Sequence, residues 1–228
     1  MTRTTNARIA GVTFLLYIAV GITAMIVSGR ATRGEGIAEK LASMAQSPTT
    51  VRADVLLGLL VCFVALTLAV ALWSLTREQD PDLAMLGLAC RVAEALIGGI
   101  FMPLTLGLLA LATAAGADAP DATATQALAS FVLEAGGSNP PIAATFFAVG
   151  STIFCWLFLR GRMIPVALAW LGVVASVLLV VALPLQLGGA LRGAVTQLVW
   201  IPMAVFEVAL ALWLLVKGVA APAARPAA

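Results

Sequence analysis

Histidine is absent from the 228 residues of this chain. That excludes His-based catalytic triads, haem ligation through histidine and the commonest zinc sites. Charge is nearly as scarce. Asp, Glu, Lys and Arg make up 11% of the residues, against about 25% in an ordinary soluble domain, too few to cover a soluble folded surface. Disorder is excluded as well, because it requires low hydrophobicity and high net charge. A net charge of +2 supplies no basic stripe, so no nucleic-acid partner is expected. The three cysteines, Cys62, Cys90 and Cys155, sit in apolar runs without paired spacing. They read as small buried hydrophobes, not as a disulfide framework or a metal site. Walker, HExxH, GxSxG and GxGxxG motifs are missing, and no Asn-x-Ser/Thr tripeptide occurs. No cofactor, metal or catalytic residue is therefore assigned.

What is present is apolar. Hydrophobic residues reach 62% and the mean hydropathy is +1.07. The expected fold is all-α, a polytopic transmembrane bundle of six helices forming one domain over residues 1–219. An Ala/Pro-rich tail over 220–228 is expected to be disordered. The partner this composition demands is the lipid bilayer.

A span needs about 20 apolar residues. The first runs from Ile9 to about Ser28. It is too long for a signal-peptide core and no clean cleavage site follows, so it reads as a retained helix. In the polar segment 29–51, Ile37, Leu41 and Met44 recur at helical spacing and predict a short amphipathic helix ended by Pro48. Thr49 or Thr50 is then placed to cap the second span, Arg52 to Leu75. The third span covers Leu83 to Ala114, with Pro103 expected to kink or divide it. The connection 115–139 contains Asp118, Asp121 and Glu134 and no basic residue. Within it Leu128, Phe131, Val132 and Ala135 share a helical face and predict a second, surface-lying amphipathic helix. Pro140 and Pro141 open a fourth span ending at Arg160. A fifth follows Pro165 and ends at Leu187, and a sixth covers Thr196 to Val216. Gly189 and Gly193 match a small-xxx-small pattern but fall at a turn, so they read as loop geometry.

Six spans place both termini on one side. Arg3, Arg8, Arg77, Arg160, Arg162, Lys217 and Arg225 lie on that side, and Arg30, Arg33, Lys40, Arg52 and Arg192 on the other. Short turns weigh most in the positive-inside rule, and Trp73, Trp156 and Trp213 mark the same ends as an aromatic belt would. Both termini are thus expected in the cytoplasm, in the cell (plasma or inner) membrane.

Charges inside hydrocarbon cost about 2.5–3.5 kcal/mol each on insertion scales. Arg91 and Glu94 in the third span and Glu207 in the sixth are the candidates. Arg91 and Glu94 are three apart and share a face. Arg91 lies roughly 12 Å in from Leu83 and Glu207 roughly 15 Å in from Lys217, counted from the same side. Two readings are open for Arg91, Glu94 and Glu207. One is a buried ion cluster that locks two helices; the other is the polar floor of a ligand-binding cavity. Arg52 and Asp54, at the start of the second span, are secondary candidates whose acidic member suits a helix N-terminus. Gln186 and Gln197 flank the last glycine turn and could face a vestibule.

Four stretches carry a family likeness. They are Arg8-Ile9-Ala10-Gly11; Leu83-Ala84-Met85-Leu86 with Arg91-Val92-Ala93-Glu94-Ala95; Phe158-Leu159-Arg160-Gly161 with Ile164-Pro165; and Glu207 with Leu212-Trp213-Leu214-Leu215-Val216-Lys217-Gly218. By their order and spacing the chain resembles the bacterial membrane family known as domain of unknown function 4386. The resemblance implies a polytopic membrane protein and supplies no activity. Two function classes follow. The first is a non-catalytic protein that binds a lipid-like or small apolar molecule or serves as a partner subunit. The second is a membrane enzyme or transporter that uses Arg91, Glu94 and Glu207. The missing histidine, metal and nucleotide motifs favour the first.

Overall fold

A computed structural model describes residues 2–114 and 121–220. Among these residues the only regular elements are helices. They are α1 (Arg3–Ala31), α2 (Ile37–Gln46), α3 (Pro48–Thr76), α4 (Pro81–Gly99), α5 (Met102–Thr113), α6 (Ala122–Arg160), α7 (Val166–Leu187), α8 (Val195–Leu198) and α9 (Ile201–Val216). Counting α4 with α5 and α8 with α9, six segments are long and apolar enough to cross a membrane. Large apolar side chains such as Met25, Leu56 and Val216 point outward from them. Water would penalise that arrangement and lipid tails do not. The architecture is that of an all-α, multi-pass membrane protein in a bilayer.

The helices contribute to two compact units. The first comprises Met1–Tyr17, Val64–Ala95 and Pro141–Ala228. Its core is built on Phe14, Leu68, Phe154, Phe158, Leu179 and Phe206. Small residues set the spacing between its helices, because only they let backbones approach closely in a membrane. A Cβ on Gly11 of α1 would stand 2.8 Å from the Ala211 carbonyl of α9. On Gly172 of α7 it would stand 2.5 Å from the Phe206 ring and 2.7 Å from Cys155 Sγ. Buried hydroxyls are satisfied within their own helices: Thr76 donates to the Leu72 carbonyl at 2.8 Å and Ser176 to Gly172 at 2.7 Å. Polar contacts gather at the helix ends, where Arg3 pairs with Glu78 at 2.8 Å and Arg160 with Asp80 at 3.3 Å.

The second unit comprises Ile18–Phe63 and Leu96–Pro140. In it α2 buries Leu41 and Met44, which share a core with Leu108 and Leu109 of α5 and with Ala129 and Val132 of α6. The expected amphipathic helix after the first span is therefore present and is held by its apolar face. The third span is divided as Pro103 requires, with α5 opening around that proline. At the break Asn139 Nδ2 donates to the Ile97 carbonyl at 2.9 Å, an acceptor that also takes the Ile100 amide at 3.2 Å.

Three expectations need correction. Pro48 does not merely end α2. It begins α3, so Thr49 and Thr50 lie inside the first turn and do not cap it. Proline suits a first helical position because its missing N–H has no partner there anyway. The segment holding Leu128 and Phe131 is helical, but it is the first part of α6 and continues through Pro140 and Pro141 into the fourth span. A proline ring collides with the carbonyl four residues back. Here those positions are Gly136 and Gly137, the residue type whose backbone adapts most readily. The face that α6 buries is also different, since Ala129 and Val132 turn inward while Leu128 and Phe131 are exposed. The sixth span is present over Val195–Val216, with a break in its helix at Val199–Trp200. Pro202 deprives the Leu198 carbonyl of its helical partner, a signal the hydropathy profile hides. Asp121 caps α6 by accepting from the Ala124 amide at 3.0 Å. Asp118, and the expected tail from residue 221 onward, lie outside the described residues.

Candidate functional site

Arg91 and Glu94 lie on consecutive turns of α4, and both are buried. At ~1.5 Å per residue, Arg91 stands about 15 Å along α4 from Pro81, far inside the span. Only 1% of its surface is exposed, and it is the largest fully buried side chain among the described residues. Arg91 Nη1 lies 2.9 Å from Glu94 Oε2. That oxygen accepts no aligned hydrogen bond, so the contact is an ion pair with its N–H turned off the axis. The other carboxylate oxygen, Oε1, accepts from the Tyr17 hydroxyl of α1 at 2.7 Å.

Aromatic faces enclose the guanidinium. Arg91 Cζ sits 4.6 Å from the Phe147 ring centroid and 5.6 Å from that of Tyr17. Such contacts gain strength when the cation is desolvated. Gly150 of α6 makes the approach possible, because a Cβ there would stand 3.1 Å from Arg91 Cγ and 3.1 Å from the Gly87 carbonyl. Glu207 of α9 is buried in the same compact unit and lies within electrostatic reach of Arg91, Glu94 and Tyr17. Among the described residues it forms no ion pair with Arg91. Its Oε1, together with Arg91 Nε and Nη2, is buried without a hydrogen-bond partner.

The structure thus brings Arg91 and Glu94 into direct contact and sets Glu207 nearby as a separate carboxylate with no ion-pair partner among the described residues. Tyr17 and Phe147 were not legible as members. Tyr17 is the sole tyrosine of the chain, which was the one available hint. The secondary candidates belong elsewhere. Arg52 is exposed on α3, and Asp54, half-buried in the second turn, is within hydrogen-bonding reach of Ser28. Gln186 is half-buried at the end of α7 and Gln197 is exposed on α8. Gly189 and Gly193 between them have φ of +74° and +73°, so they serve the turn, as their position suggested.

Residues 9–218 match the family described as Domain of unknown function (DUF4386). The chain belongs to this family. No curated protein and no solved structure matches it. In this DUF4386 protein Tyr17, Arg91, Glu94, Phe147 and Glu207 all fall within the matched stretch.

Removing the Tyr17 hydroxyl tests whether the polar cluster is formed as described. A hydrogen bond to a charged group contributes about 1.5–3 kcal/mol. The Tyr17→Phe variant is expected to lose that much in chemical denaturation from detergent micelles, with yield and helicity unchanged. An unaltered midpoint would mean that Glu94 does not depend on Tyr17.

Proposed function

We propose that this DUF4386 protein is a binding protein of the cell (plasma or inner) membrane with both termini in the cytoplasm. It holds a small amphiphilic or lipid-like molecule by its polar end at Arg91, Glu94 and Glu207. One observation carries this reading: Arg91 Nε and Nη2 and Glu207 Oε1 are buried and unpaired within one cluster. Leaving one buried polar group unsatisfied costs about 1–3 kcal/mol, and a charged group costs more. Proteins rarely tolerate several such groups together without a reason.

The chemistry of the cluster describes its ligand. Arg91 and Glu94 cancel in formal charge, and Glu207 adds one carboxylate. Arg91 offers donors only and Glu207 acceptors. The matching head group both accepts and donates, as a hydroxyl, an amide or an undissociated carboxylic acid does. Phe147 holds the guanidinium from its apolar side. The orientation rests on the basic short turns and on Trp73, Trp156 and Trp213 at the corresponding helix ends.

Native mass spectrometry of the detergent-extracted protein tests the proposal. Wild type is expected to carry a bound molecule of defined mass that survives detergent removal. Glu207→Gln and Arg91→Met are expected to lose it. A wild-type protein free of any such adduct, or an adduct equally retained by both variants, would overturn the assignment.

A further inference from the structure

We propose that a cleft between the end of α1 and the start of α3 binds a phosphate group, carried by a phospholipid head or by soluble phosphate. The cleft lies wholly in the second compact unit, encloses about 580 Å³, and is lined by Arg30, Arg33, Ser43, Gln46, Thr49 and Thr50, among others. This site shares no residue with the Arg91 cluster and does not depend on it.

Three elements supply the donors. Arg30 stands in the last turn of α1, where a cation suits the helix end. Arg33 lies beyond the helix, just before Gly34, whose φ of +133° turns the chain toward α2. It has no such local reason to be there. Ser43 and Gln46 come from α2, and Thr49 and Thr50 from the first turn of α3. Among the described residues neither arginine has an ion-pair partner. None of the described residues lining the cleft is acidic.

Two guanidiniums without an ion-pair partner among the described residues, with hydroxyls and an amide around one opening, match phosphate better than they match other groups. Guanidinium binds phosphate through paired N–H···O bonds, and the hydroxyls can meet the remaining oxygens. A carboxylate would occupy one arginine and leave the other donors unanswered. The ends of two membrane-crossing helices also mark the depth at which phospholipid phosphates lie. An aliphatic ligand is disfavoured by the polar lining.

The test compares wild type with the Arg30→Gln/Arg33→Gln variant in two arms. Both side chains are exposed, so without added ligand the thermal midpoint is expected to fall only slightly, through the loss of Arg30 from the end of α1. One arm titrates phosphatidylglycerol in native mass spectrometry; the other follows thermal unfolding in detergent with inorganic phosphate. A lipid adduct that the double variant binds about tenfold or more weakly assigns the site to a phospholipid head. Protection by inorganic phosphate, lost in the variant, assigns it to soluble phosphate. If the double variant folds poorly, Arg33→Gln alone, changed outside any helix, serves the same comparison. Equal behaviour of wild type and variant in both arms would overturn the proposal.

Discussion

Replacing Arg91 with methionine is expected to destabilise the protein by about 3–5 kcal/mol, the usual penalty for stripping one partner from a buried ion pair. The residue keeps 1% of its surface exposed and faces Glu94 at 2.9 Å. Its loss leaves Glu94 and Glu207 as two buried carboxylates with no cation beside them. Lysine is expected to rescue poorly. Its compact ammonium cannot reproduce a planar guanidinium lying 4.6 Å from the Phe147 ring while also contacting Glu94. The double change Arg91→Met/Glu94→Met should recover part of the loss, since it removes the second charge of the pair while leaving Glu207 and the Tyr17 hydroxyl without those partners. Reversible unfolding of the four proteins of this cycle in detergent measures the coupling. Additive losses would show that the two side chains do not act as a pair.

Phe206→Ala is expected to be about as costly, again about 3–5 kcal/mol, through loss of packing around a fully buried ring. Phe206 fills the space that Gly172 of α7 leaves open, with Cys155 of α6 at the same contact. The reciprocal relation gives the test its force. Gly172→Leu alone should also destabilise, because its Cβ would begin 2.5 Å from the Phe206 ring. Combined with Phe206→Ala, it should restore part of the stability, since the new side chain grows into the new cavity. If Gly172→Leu is silent alone, or adds its full cost to Phe206→Ala, the two helices do not meet there.

Spans were legible because length and apolarity alone define them. Ile37, Leu41 and Met44 revealed α2, since a helix with one buried stripe writes its period into the sequence. Pro103 revealed the division between α4 and α5. The same rule misled at Pro140 and Pro141, where α6 runs on through both prolines with the adaptable backbones of Gly136 and Gly137 four residues earlier. Pro202 passed unnoticed because the residues around it are apolar on both sides of the break. Arg91 and Glu94 stood out because charge is expensive in hydrocarbon and three residues bring a pair onto one face. Phe147 carries no such mark, because a phenylalanine over a cation and one over a leucine look alike in a list of residues. Depth placed Glu207 near Arg91 and could not tell a shared ion pair from a carboxylate standing apart.

A cryo-electron microscopy map of the wild-type protein in lipid nanodiscs, examined between Arg91 and Glu207, tests the central claim most directly. Non-protein density larger than a water, meeting Arg91 Nη2 or Nε at one side and Glu207 Oε1 at the other, is the predicted result. A direct ion pair between Arg91 and Glu207, with nothing between them, would contradict it and return the cluster to a lock between helices.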